Sequence, residues 1–170
     1  MNTQPNVDHL IECIVARATT IRLETECAGL NLNEVGIHGR TPLMVAAAEG
    51  FFAAVETLVR HGASVHATGD RQMTALHEAS ASGKAAIATY LLSLGAEVDA
   101  ETTDGVTPLM CAAAWGNNAV ARTLLDNGAD WKRVDRTGAT AADIAREKGE
   151  DDAAALIESY STQSRSRDSE

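Results

Sequence analysis

Three cysteines and five histidines are the side chains of this sequence best suited to nucleophilic or metal chemistry. Cys13, Cys27 and Cys111 are scattered and odd in number, which fits reduced thiols better than a disulfide framework. A catalytic thiol needs a neighbouring base to hold it as thiolate, and the sequence indicates none beside Cys27. No C-x-x-C pair is present, and His9, His38, His61, His66 and His77 do not share one helical face. No metal site is therefore predicted. Phosphate chemistry would need a glycine-rich cradle, and none is present. The residues point to a protein without catalytic groups, cofactor or bound metal.

What positions these side chains is a repeat. TPLMVAAAEG begins at Thr41 and TPLMCAAAWG at Thr107; TALHEASASG begins at Thr74 and TAADIAREKG at Thr140. The four starts are 33 residues apart, the mark of an array of identical units. Within each unit Thr is a good helix N-cap, and Pro42 and Pro108 sit where a missing N–H costs nothing. Leu43 points inward, and the alanines at 46–48 let a second helix approach closely. Gly50 then ends the first helix, and Gly83, Gly116 and Gly149 do the same in the later units. A second helix follows, with Ala54, Val55, Leu58 and Val59 on one face. The same slots hold Ile87, Ala88, Leu91 and Leu92, then Val120, Ala121, Leu124 and Leu125. A helix pair this small cannot bury its apolar face alone and must be stacked on a neighbour.

From Ile37 to Glu158 these units resemble the ankyrin repeat family. Its signature T-P-L-H-x-A-A-x-x-G and exit G-A-D-V-N match the phrases above and the segments GASVHA, GAEVDA and GADWKR. The resemblance implies an all-α, ankyrin-repeat solenoid of stacked helix–turn–helix units, with long turns projecting as β-hairpin fingers. Units are expected at 36–68, 69–101, 102–134 and 135–160, with a degenerate capping unit at 8–35. Residues 1–7 are expected to be flexible and 161–170 disordered, since STQSRSRDSE carries no hydrophobic residue. In this family the histidine in the slot of His77 bonds to neighbouring turns, so a structural role is expected for it. Cys13 and Cys111 fall in small interior slots and read as buried hydrophobes. Cys27 aligns with Arg60 and is expected nearer the surface. Gln72 stands where Gly39, Gly105 and Gly138 stand in the other units, which predicts a distorted turn there.

The balance of 14 Lys+Arg against 24 Asp+Glu gives a net charge of −10. That argues against nucleic acid or an anionic membrane as partner. No stretch has membrane-spanning length or a leader pattern, so a cytoplasmic protein is expected. The charged REKGEDD run gives the last unit a polar outer face, as a solenoid's end requires, and a monomer is expected.

Since the recurring slots are committed to stacking, a partner must be read by slots where the units disagree. In this family the turn tips and the exposed ends of the first helices line the concave face. They are Ile37, His38, Arg40 and Glu49 in the first clear unit, then Asp70, Arg71, Met73 and Ser82. The next supplies Thr103, Asp104, Val106 and Trp115, and the last Arg136, Thr137, Glu147 and Lys148. Units about 10 Å apart make this a strip of roughly 30–40 Å, enough for a protein interface. Trp115 stands out because its counterparts are Glu49, Ser82 and Lys148. Two roles stay open for it: a binding anchor, whose truncation would cost roughly 2 kcal/mol or more, or a cover folded over the neighbouring loop. Trp131 aligns with Val65 and Val98 and is expected in the core. The predicted function is binding of an unidentified protein or peptide, to sequester, inhibit or scaffold it. A self-assembling solenoid, an enzyme or a nucleic-acid binder are the rival readings.

Overall fold

The computed structural model describes residues 6–17, 20–36 and 38–167. Ile37, expected at a turn tip, lies outside them, as do 1–5 of the N-terminal stretch and 168–170 of the tail. Ten α-helices run through the described residues as five pairs. These are α1 (Val7–Val15) with α2 (Thr20–Cys27), α3 (Pro42–Glu49) with α4 (Phe52–Arg60), and α5 (Ala75–Ala81) with α6 (Ala85–Ser93). Then follow α7 (Pro108–Ala114) with α8 (Asn118–Asp126), and α9 (Ala141–Lys148) with α10 (Asp151–Arg167). First helices stack on first helices, α1 through α9, and second helices stack on second helices, α2 through α10. The result is two helical layers with the core between and within the pairs.

The threonines start their helices as the sequence requires. The Oγ1 atoms of Thr41, Thr74, Thr107 and Thr140 accept from the amides of Met44, His77, Met110 and Asp143 at 3.3–3.4 Å. Each of those four residues returns an acceptor to the threonine N–H: a methionine sulfur, the His77 ring, a methionine sulfur and the Asp143 carboxylate. Such reciprocal caps satisfy two otherwise orphaned amides and are worth about 1 kcal/mol each. Behind them Ala46, Ala47, Ala79, Ala112 and Ala113 are fully buried, which permits the close helix approach. Val55, Leu58, Ala88, Leu91, Ala121 and Leu124 fill the second layer. Trp131, expected in the core, is only half-buried at its edge, with the Lys132 ammonium 5.1 Å from its ring centre.

The expected β-hairpin fingers are reduced to tight turns, each with a single cross-turn rung beside shorter turn bonds such as Gly39 N–H to Gly36 O, Gly105 N–H to Thr102 O and Gly138 N–H to Asp135 O at 2.9–3.0 Å. Gly36 donates to the Arg40 carbonyl at 3.0 Å, Gly69 to Met73 at 2.9 Å, Thr102 to Val106 at 3.0 Å and Asp135 to Ala139 at 3.0 Å. One rung is too little for a strand, and an isolated bridge between Val134 and Thr140 is the only pairing recorded among the described residues. Successive tips are tied to one another. Asp70 N–H donates to Gly39 O at 2.8 Å, Thr103 to Arg71 O at 2.9 Å and Arg136 to Asp104 O at 2.9 Å. The donors occupy one repeat slot, but the first acceptor is slipped by one residue. That slip coincides with the second turn, where Arg71 (φ 56°) and Gln72 (φ 60°) take left-handed conformations. Gln72 keeps the left-handed conformation of Gly39, Gly105 and Gly138 in the same slot, and the departure of this turn from the others lies one residue earlier, at Arg71. The tips are close: a Cβ at Gly69 would run into the Gly39 carbonyl.

The chain's ends depart from the sequence reading by a few residues. Val7, placed there in a flexible stretch, is buried and opens α1, capped by the Asn6 side chain accepting from His9 N–H at 2.8 Å. At the other end α10 continues as helix past Tyr160 to Arg167. Extending a helix already anchored by buried Ala153, Ala154 and Ile157 is far easier than starting one, so polar residues are carried along.

His77 is fully buried, as its slot requires. Its Nδ1 accepts from Thr74 N–H at 3.2 Å, so Nε2 carries the proton and donates to the Val106 carbonyl at 3.1 Å. Burial holds its pKa below the ordinary imidazole value, against the pull of its carbonyl partners.

Two outcomes follow for stability. Gln72→Gly is expected to relieve the left-handed strain and raise Tm by roughly 2–4 °C in a thermal melt; an unchanged or lower Tm would show the turn is not strained. For His77, an unfolded chain takes up a proton below about pH 6.5 that the folded chain refuses, so its contribution is complete above that pH and fades below it. The Tm gap between wild type and His77→Gln is therefore expected to narrow from pH 7.5 to 5.5, and a constant gap would contradict the buried neutral ring.

Candidate functional site

Three successive turns and the two helices beneath them enclose a cleft of about 330 Å³. Its rim is built from the tips. His38 and Arg40 come from the first turn, Asp70, Arg71 and Met73 from the second, and Asp104 and Val106 from the third. Met44 of α3, Glu78 of α5 and Thr102 at the base of the third turn complete it. Met44 is buried, Met73 and Val106 half-buried, so the floor is apolar. Thr102 braces the third turn: its Oγ1 accepts from the amides of Asp104 at 3.3 Å and Val106 at 3.1 Å.

The charges in the cleft are paired across repeats. Arg40 Nε donates to Glu78 Oε1 at 2.8 Å, joining the first turn to α5. Arg71 pairs with Asp104, joining the second turn to the third. Glu78 is buried while Arg40 is about half exposed. Burial raises the Glu78 pKa above the ordinary carboxylate value, and the Arg40 guanidinium opposes that rise without cancelling it. Glu78 was not singled out by the sequence. The available signal was its slot, which holds Val45, Cys111 and Ile144 in the other units. A carboxylate buried in a slot that is apolar in the other units is held there by its pair with Arg40.

Ser82, Thr103, Thr137, Glu147 and Lys148 do not line the cleft, nor do Trp115, Glu49 and Arg136. Trp115 caps the far end of α7 and is 69% exposed, so it is not folded over a loop. Glu49 is exposed at the corresponding end of α3. Arg136 is exposed and meets its neighbour through the backbone bond to Asp104. Turn tips and helix ends are thus two separate parts of the strip.

Cys27 and Cys111 are placed against nucleophilic chemistry. Cys27, expected near the surface, is buried at 3% exposure. The alignment with Arg60 fails because the inward stripe of α2 is Leu23 and Cys27, four apart, while Thr25, which aligned with Leu58, is exposed. Burial raises the Cys27 thiol pKa, and Glu24 and Glu26 raise it further. Cys111 is half-buried, and desolvation pushes its thiol up to about 12. Neither is an activated thiolate. The buried His77 ring uses both nitrogens to hold turns together.

A family model for ankyrin repeats (3 copies) matches residues 7–102, and one for ankyrin repeats (many copies) matches 91–145. The chain belongs to the ankyrin repeat family. Among curated proteins no match is found. Ankyrin repeats are in general protein–protein interaction modules and typically non-enzymatic. Among the described residues no helix is long and apolar enough to cross a membrane. In this ankyrin array the cleft lies among the turn fingers, and Trp115 marks the opposite end of a first helix.

Replacing Glu78 by the valine of the equivalent slot tests the role of the buried acid. Because the folded-state pKa of Glu78 is raised, its unfavourable effect grows as pH rises through that pKa and vanishes at low pH. Glu78→Val is expected to melt roughly 2–4 °C above wild type at pH 7.5, with the advantage shrinking toward pH 5. A variant less stable than wild type at both pH values would mean the ion pair with Arg40 holds the stack.

Proposed function

We propose that this ankyrin repeat chain is a non-catalytic, monomeric, cytoplasmic module that grips a protein or extended peptide on its concave turn face and sequesters, inhibits or scaffolds it. The observation that carries the reading is convergence. Seven side chains singled out because the repeats disagree there, from His38 to Val106, line one cleft. Its apolar floor suits a side-chain anchor, and its paired charges offer hydrogen bonds at the rim. Trp115, exposed at 69%, supplies a second anchor, and aromatic residues of this kind dominate interface energetics. Glu49 and Arg136 extend the same strip on either side.

The accessory parts of the reading rest on smaller observations. The three thiols are unpaired, which suits a reducing compartment. The first pair, 8–35, and the last, 135–160, serve as caps. Arg146 pairs with Asp143 at 3.1 Å and with Glu158, giving the last pair the charged outer surface that discourages end-to-end stacking.

The test is affinity capture from the native cell with the wild type beside an Arg71→Ala, Trp115→Ala double variant, both checked for a native melt. Partners held by this face are expected to fall to a few per cent of the wild-type yield, since two anchors at roughly 2 kcal/mol each would weaken binding several-hundred-fold. Equal recovery of the same proteins by both would overturn the assignment of the face.

A further inference from the structure

The first helix pair holds three donors of different chemistry that the cleft does not use. His9 and Cys13 are four residues apart on α1, hence on one helical face, and Glu26 of α2 faces them. Sequence spacing of histidines alone could not reveal this set, because its members are one imidazole, one thiol and one carboxylate. Cys13 Sγ lies 3.8 Å from His9 Nε2, and His9 Nε2 lies 3.7 Å from Glu26 Oε1. One ligand atom from each of the three falls within 4.8 Å of the others.

We propose that His9 Nε2, Cys13 Sγ and Glu26 bind a zinc ion that clips α1 to α2. The spacing is the first argument. With Zn–N about 2.0 Å, Zn–S about 2.3 Å and a tetrahedral angle, nitrogen and sulfur sit about 3.5 Å apart, and nitrogen and oxygen about 3.3 Å. The two separations from His9 Nε2 exceed these by a few tenths of an ångström, and the third lies within 4.8 Å, within reach of side-chain rotation. The second argument is the outer partner. Glu12 Oε2 lies 3.8 Å from His9 Nδ1, on the other side of the ring from the proposed ion. Drawn in by a few tenths of an ångström, that carboxylate would accept from Nδ1–H and leave Nε2 free to ligate.

The donor set selects the metal. Thiolate and imidazole favour zinc over the hard ions magnesium and calcium, which prefer oxygen alone. The His9 side chain is 34% exposed and that of Glu26 22%, so an ion can enter and a water can take the fourth position. On binding, the Cys13 thiol releases its proton to solvent as the Zn–S bond forms, so affinity rises with pH. The ion also competes with the Arg22 guanidinium, 4.0 Å from Glu26 Oε1, for that carboxylate. The clip falls where the stack is thinnest: the described inward stripe of α2 is Leu23 and Cys27 alone.

The test uses the full chain stripped with chelator and returned to metal-free buffer. One equivalent of Zn²⁺ is expected to raise Tm by about 5 °C, as binding near a hundred times Kd does, and Mg²⁺ to leave it unchanged. Co²⁺ in its place is expected to add a sulfur-to-metal charge-transfer band, the signature of Cys13 in the shell. His9→Gln and Glu26→Gln alter partly exposed side chains, so both are expected to fold by circular dichroism and to lose the zinc shift. No shift in the wild type, or a shift retained in full by His9→Gln or Glu26→Gln, overturns the proposal.

Discussion

Everything in this molecule depends on the mutual burial of neighbouring helix pairs. The paired helices from α3 to α9 are seven to nine residues long, too short to persist alone in water. Their apolar stripes, Leu43 with Ala46 and Ala47, or Val55 with Leu58, leave solvent only against the equivalent stripes of the next pair. A repeat is therefore not a unit of stability; the contact between two repeats is. The constraint also explains why the recurring slots tolerate so little change. A side chain larger than alanine at Ala46 or Ala112, both fully buried, would push two layers apart at once.

That constraint divides the sequence into a part that can be read and a part that cannot. Thr41, Thr74, Thr107 and Thr140 were legible as caps because capping depends on residues within four positions of each other. The turn at Gln72 was legible in part: the irregular turn was flagged by the missing glycine, but Gln72 itself keeps the glycines' positive φ and the change falls on Arg71. The cleft was half legible. Disagreement among repeats pointed to its rim, but its wall includes Glu78, which lies in a slot otherwise apolar, and the partner that keeps it there, Arg40, is contributed by the preceding turn. Pairings between repeats cannot be inferred from period alone.

The first helix pair was the least legible. Reading it by a fixed offset from the later units put Cys27 near the surface, and the structure buries it. A terminal pair is packed on one side only, so its helices can shift register without breaking the array. The same freedom leaves Val15 54% exposed, although it continues the apolar run of α1. Cluster chemistry spanning α1 and α2, such as His9, Cys13 and Glu26, depends on that register and is visible only once the helices are in place.

The backbone bonds between successive tips have a mechanical consequence. They run along one edge of the array while helix packing holds the body behind it, so the edge acts as a tendon that limits how far the solenoid can flatten or coil. Its segments are unequal. Between the first and second tips the bond is slipped by one residue and joins a turn already carrying two left-handed residues; the next two bonds share one register. A body wedged between those tips would therefore meet an edge whose spacing differs from that of the next two joints, and would act on the curvature of the array from there.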